Sequence, residues 1–175
     1  MFLLSDDLVK RYERRGLKIV NATPDNYFPT CYYFRLGPRA QYPFGQEPLT
    51  AHAISRSGLV LEPNDQIRVA TMEHFRLPDH VKATLGPRTS NAVERGLLLL
   101  HGPTVEPGYD APLDVGIKNI SPFPLTLKQG DSIGKIEFYD ISDTQLEQTR
   151  LTSEAERRVQ RWGTDDDNPD APWQP

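Results

Sequence analysis

Gln66-Ile67-Arg68-Val69-Ala70-Thr71-Met72 alternates Gln66 and Arg68 with Ile67 and Val69, the two-residue period of a strand with one buried face. The same period returns at Leu113 to Lys118, where Leu113, Val115 and Ile117 point one way and Asp114, Gly116 and Lys118 the other. Outward from these two, strand character marks Leu17–Val20, Cys31–Leu36, Leu59–Leu61, Val81–Leu85, Leu97–Leu100, Leu125–Leu127 and Ile133–Tyr139. Turn chemistry separates them: Gly37-Pro38, Pro63-Asn64-Asp65, Pro78-Asp79 and Gln129-Gly130-Asp131. Many short strands at near-regular spacing predict a mainly β chain, a barrel or jelly roll. One helix precedes them, with Ser5 as its cap, Asp6 and Asp7 at its positive end, Leu8, Val9 and Tyr12 on its apolar side, and Gly16 as its stop. Asn21–Pro29 reads as a loop, and Arg39–Thr50 as an exposed loop or hairpin.

The 175 residues suit one core of ordinary size, and 16 prolines with 12 glycines agree with many short connections. A net charge of −4 argues against a general nucleic-acid binder while leaving room for a local basic pocket. A single cysteine, Cys31, excludes an internal disulfide and a cysteine-rich zinc site, and it reads as an inert buried thiol. The four histidines, His52, His74, His80 and His101, lack metal spacing, and His101 reads as a structural hydrogen-bonding residue. With no signal peptide legible at Met1–Asp7 and no apolar run long enough to span a bilayer, a soluble cytoplasmic protein without membrane partners is expected. The expected organisation is a β domain over 1–142 and an extension over 143–175, a broken helix and then an acidic, proline-rich tail. That tail is either a solvated end or a strap over a neighbouring subunit, anchored by Trp162 or Trp173.

Chemistry concentrates in Gly86–Tyr109. Gly86-Pro87-Arg88-Thr89-Ser90 offers a planar cation, two hydroxyls and backbone N–H groups, a set that suits a phosphate. Four leucines, Leu97–Leu100, follow as a core strand. Glu106 and Tyr109 then return on a turn built from Pro107 and Gly108. Phosphate chemistry at one end, with a carboxylate and a ring at the other, suggests a nucleotide site.

This order of motifs resembles the superfamily of trimeric dUTPases and dCTP deaminases. The resemblance is carried by Leu4-Ser5-Asp6, Tyr32-Tyr33-Phe34-Arg35-Leu36-Gly37, Leu61-Glu62-Pro63, Val69-Ala70-Thr71-Met72-Glu73, Leu77-Pro78, Pro87-Arg88-Thr89-Ser90, Val105-Glu106-Pro107-Gly108-Tyr109 and Lys128–Ile136. It implies a distorted jelly-roll β-barrel of the dUTPase-like type, a homotrimer with sites at subunit interfaces, and a deoxynucleoside triphosphate as ligand. It further implies either hydrolysis of the α–β phosphate bond with Mg2+ or exchange of the cytosine amino group for water.

Carried over residue by residue, the resemblance places phosphate on Arg88, Thr89, Ser90 and Lys135. It makes Glu106 the residue that binds the sugar hydroxyl and orients water, and sets Tyr109 against the deoxyribose. The plain alternatives are a surface arginine beside a turn, an exposed hairpin carboxylate, a barrel-rim aromatic and an outward strand lysine. Departures are as informative. The deaminase proton shuttle falls at Gly116, where no side chain exists to move a proton. Asp114, two residues away on the same strand face, substitutes only if the substrate sits differently. The early aspartate falls at Tyr33, and the strand glutamine near the phosphates at Lys135. No glycine-rich, arginine-bearing tail closes the chain, and Asp165-Asp166-Asp167 would repel a triphosphate unless a metal lay between them. Phosphohydrolysis is therefore expected ahead of deamination through Asp114, with a catalytically silent nucleotide sensor, regulator or assembly component as the reading from another class.

Overall fold

A computed structural model describes residues 2–41, 51–55 and 57–142. Thirteen strands and one helix follow in chain order: β1 (Phe2–Leu3), α1 (Asp6–Tyr12), β2 (Lys18–Val20), β3 (Tyr27–Phe28), β4 (Cys31–Gln41), β5 (Ala51–Ala53), β6 (Leu59–Leu61), β7 (Gln66–Arg76), β8 (Val81–Pro87), β9 (Leu97–Leu100), β10 (Thr104–Val105), β11 (Asp110–Asn119), β12 (Leu125–Leu127) and β13 (Ser132–Asp140). The main path of the curled sheet runs β10-β8-β13-β4-β7-β11-β9, with β1 on β13, β2 on β7, and β3 and β5 on β4. β12 and β6 form a separate pair. All of these pairings are antiparallel, so each long strand keeps one face in the core and one face out. The mainly β, jelly-roll-like architecture with one N-terminal helix is as expected.

The alternation at 66–72 continues to Arg76, with Ile67, Val69, Thr71, Glu73 and Phe75 buried in one phase. Leu113, Val115 and Ile117 do the same on β11. Their side chains meet Phe34, Leu36, Ile136 and Phe138 from β4 and β13 in one continuous core. The helix is shorter than its sequence signals. Ser5 caps it by accepting from the Leu8 N–H at 3.4 Å, and a 3-10 turn over Glu13–Arg15 carries the chain to Gly16.

β4 does not stop at Gly37-Pro38 but runs to Gln41, and Arg39–Gln41 pair antiparallel with β5, so of the expected loop or hairpin at 39–50 the described residues follow the hairpin. The register against β7 shifts between Leu36 and Ala40. Gly37 makes this possible, since a Cβ there would lie 2.5 Å from the Ala70 carbonyl oxygen. Proline is tolerated within the strand because a bulge frees the backbone from regular pairing. The expected loop at 21–29 holds a 3-10 turn, Pro24–Asn26, and then β3, which folds back on Cys31 and Tyr32. The rest of the 39–50 loop and the 143–175 extension, with its broken helix, acidic tail and tryptophan anchors, lie outside the described residues.

Candidate functional site

β8 delivers Arg88. The strand ends at Pro87, Arg88 and Thr89 stand exposed, and a π-helical turn over Ser90–Glu94 follows, in which the Ala92 N–H donates to the Arg88 carbonyl at 3.1 Å. The turn is fastened by Asn91, a buried residue that sequence reasoning passed over. Its amide donates to the Ser132 carbonyl at 2.7 Å and so ties the turn to β13. No pattern marks Asn91 in the sequence, because an anchoring amide between two turn residues looks like any loop polar group.

The Arg88 guanidinium lies over the ring of Tyr33, 5.3 Å from its centroid. The Tyr33 ring is in turn 4.5 Å from that of Phe28. Lys135 is the register partner of both Tyr33 and Gly86, so β13 carries it between them. Its chain passes over Gly86, where a Cβ would come 3.1 Å from Lys135 Cε. The ammonium donates to Glu137 at 2.8 Å, and the Tyr139 hydroxyl donates to the same carboxylate at 3.0 Å. The hydrogen bond to Glu137 raises the Lys135 pKa, and the same bond holds the Glu137 carboxyl below its ordinary value. Arg88 and Lys135, far apart in sequence, thus share one patch. Cys31 borders it half-buried rather than fully buried, its thiol pKa pushed up by burial.

The other predicted residues lie elsewhere. Glu106 is exposed and accepts a hydrogen bond from the Thr104 hydroxyl at 2.7 Å. β10 pairs with β8 at Ala83, five residues before Arg88, on the order of 16 Å along an extended strand. Tyr109 is 7% exposed, and its hydroxyl donates to the Pro112 carbonyl at 2.5 Å, so the ring belongs to the core. Asp114 stands on the outer face of β11 opposite Ala70, two strands away from β4. Both of its oxygens are held by Arg68, through Nε at 2.7 Å and through Nη2. Between Arg68 on β7 and Leu100 on β9 lies Gly116, where a Cβ would sit 3.0 Å from Leu100 Cβ. His101 is half-buried, and its Nδ1–H donates to the Gly102 carbonyl at 2.6 Å.

Two further polar groups have a legible signal. Glu73 falls in the buried phase of β7, where a carboxylate demands partners, and it accepts from the Tyr32 hydroxyl at 3.0 Å, the Arg35 N–H at 2.8 Å and Arg35 Nε at 2.7 Å. On the outer face, Asp110 joins His74 at 2.5 Å and Arg76 at 2.8 Å. No group of three or more metal-ligating side chains occurs among the described residues.

A family model described as dCTP deaminase-like matches residues 3–141. The chain belongs to that family. A dUMP-forming dCTP deaminase of Corynebacterium glutamicum (strain R) is 27% identical over 119 residues, covering 63% of this chain and 62% of the relative. A deoxyuridine 5'-triphosphate nucleotidohydrolase of Thermobifida fusca is 32% identical over 106 residues, covering 58% of this chain and 59% of the relative. Among solved structures, the 2'-deoxycytidine 5'-triphosphate deaminase of Agrobacterium tumefaciens superposes with a TM-score of 0.68 at 20% identity, over 90% of this chain and 52% of that one. This dCTP deaminase-like chain therefore spans about three-fifths of the curated relatives and half of the solved structure. At 20% identity the superposition establishes the shared fold.

Proposed function

We propose that the chain binds a deoxynucleoside triphosphate across a contact between copies of itself and breaks a phosphoanhydride bond rather than the cytosine C–N bond. Arg88, Thr89, Ser90 and Lys135 of one copy take the phosphates, and Glu106 of another orients the attacking water. One observation carries the choice of reaction. The β11 face that the family resemblance assigns to proton transfer holds Gly116, and the nearest carboxylate there, Asp114, has both oxygens taken by Arg68. A carboxylate bound in this bidentate way lacks a free basic oxygen for the substrate. Glu106, by contrast, is exposed and accepts from one hydroxyl among the described residues.

The need for more than one copy comes from the separations within a single chain. Glu106 and Asp114 lie too far from Arg88 to act on a phosphate that it holds, whereas attack requires reacting atoms within van der Waals distance. Three copies are expected, and a cytoplasmic setting suits a chain that acts on free nucleotides. In the reaction, water adds to the α-phosphorus, pyrophosphate leaves, and the water's proton passes to Glu106. Arg88 spreads the charge of the phosphate oxygens across its planar fork. Mg2+ fits as an ion carried by the triphosphate, since no group of three or more His, Cys, Asp or Glu side chains among the described residues makes a cage for it. When bound, it neutralises phosphate charge.

Purified protein with dUTP, dCTP and Mg2+ tests this reading. Pyrophosphate release with retention of the cytosine amino group is the expected result, and amino-group loss from dCTP would overturn it. One observation favours a second reading, binding without turnover. Glu137, the carboxylate hydrogen-bonded within the Arg88–Lys135 patch, is already paired with Lys135. Tight dUTP binding with no product would select that reading.

A further inference from the structure

Arg88 and Lys135 share a patch but are held in opposite ways. The Lys135 ammonium is occupied head-on by Glu137 at 2.8 Å, so an incoming anion must displace a carboxylate to reach it. Arg88 instead lies over an aromatic ring. Its Cζ lies 5.3 Å from the Tyr33 ring centroid, and among the described residues no hydrogen bond or ion pair engages its N–H groups. A guanidinium donates hydrogen bonds only in its own plane, along its edges, while an aromatic ring attracts it through the face. The ring contact therefore restricts the side chain's rotation and leaves its donors unspent. A carboxylate in place of the ring would fix the side chain equally well but would consume those donors.

The ring is itself held. Phe28 packs on it at 4.5 Å, Tyr33 lies in β4, and β3 folds Phe28 back onto the start of that strand. Resting on the nucleotide-binding reading above, we propose that Tyr33 is a positioning residue for phosphate. It pre-orients Arg88 with its edges outward, so that the guanidinium is the primary anion receptor and Lys135 a secondary one. The ligand part recognised is the phosphate chain, whatever base it carries. Tyr33 acts through its ring, so its hydroxyl is dispensable, and its effect exists only while Arg88 is present.

The test uses the full chain and titration calorimetry with two probes, dUTP and inorganic tripolyphosphate. Tyr33→Phe keeps the ring and binds both as the wild type does. Tyr33→Ile, a β-branched residue suited to a strand, weakens both by about five- to tenfold. Arg88→Ala weakens both further, and adding Tyr33→Ile to it changes nothing more, an outcome that a merely structural role for the ring would not produce. Phe28→Ala, at an exposed position, gives a smaller loss in the same direction and serves where Tyr33→Ile does not fold. Unchanged binding by both Tyr33→Ile and Phe28→Ala overturns the proposal, as do losses from Tyr33→Ile and Arg88→Ala that simply add. If the ring variants bind normally while Arg88→Ala does not, the positioning role falls and the nucleotide reading stands. If wild type and Arg88→Ala bind alike, or wild type binds neither probe, the assignment of phosphate to Arg88 falls, and Tyr33 with it.

Discussion

Asp140 ends β13 as a buried carboxylate. Burial by itself would raise its pKa, but donation from the Ser142 hydroxyl at 2.5 Å, the Ser142 N–H at 2.8 Å and the Tyr12 hydroxyl outweighs burial, and the group is lowered from 3.8 to about 2. Through Tyr12 it also pins α1 to the sheet. A carboxyl whose folded-state pKa is depressed contributes stability that is complete above the ordinary carboxyl range and is lost as pH falls toward the folded value. Asp140→Asn is thus expected to melt below the wild type at about pH 6, with the two melting points converging between about pH 4 and pH 2. Thermal unfolding followed by circular dichroism across that window measures it, and a gap that stays constant would show that the charge does not matter. Glu73 is a different kind of buried carboxylate. It is enclosed by Tyr32 and Arg35, and its place in the inward phase of β7 accounts for it as a structural pairing rather than a base.

At the scale of elements, β4 joins the two ends of the sheet. Its first half pairs with β13 up to Arg35, its second half with β7 from Leu36 and with β5, and the register shift against β7 spans Gly37. A Cβ at Gly37 would sit 2.5 Å from the Ala70 oxygen and 3.2 Å from two Thr71 backbone atoms, so relief requires movement of β7 itself rather than of a flexible side chain. Gly37→Ala is expected to cost about 2–3 kcal/mol, at the upper end of overpacking effects, measured as a lower urea midpoint with an unchanged slope. The same strand carries Tyr33 to Arg88 at its beginning, so a shift of β4 would disturb the Arg88–Lys135 patch as well as the core.

For the whole molecule, the candidate residues form three separate patches: Arg88 with Lys135, Glu106 on the β10 turn, and Asp114 with Arg68. A site assembled from two copies has a distinctive signature. Arg88→Ala and Glu106→Ala homomers are each expected to be inactive, and refolding them together to restore turnover, because some interfaces then combine an intact Arg88 with an intact Glu106. With random mixing, about a quarter of the interfaces are whole, which sets the ceiling on recovered activity. A mixture as inactive as its components would place both residues in one chain's site or neither in any.

Nine of the thirteen described strands, their phase and the N-terminal helix were legible in the residues because alternation and capping are local, as Ile67 to Phe75 and Ser5 show, whereas β1, β3, β5 and β10 are too short to show a period. The position of Arg88-Thr89-Ser90 just beyond a strand was legible too, since the segment is contiguous with Val81–Leu85. The continuation of β4 past Pro38, the Asn91 anchor, the Tyr33–Arg88 cation–π contact and the capture of Asp114 by Arg68 were not. Each joins residues remote in sequence, or depends on a register shift that one clash-free glycine permits. Periodicity determines which way a side chain faces; only the paired strands decide what it meets there, because pairing brings distant residues within hydrogen-bond reach.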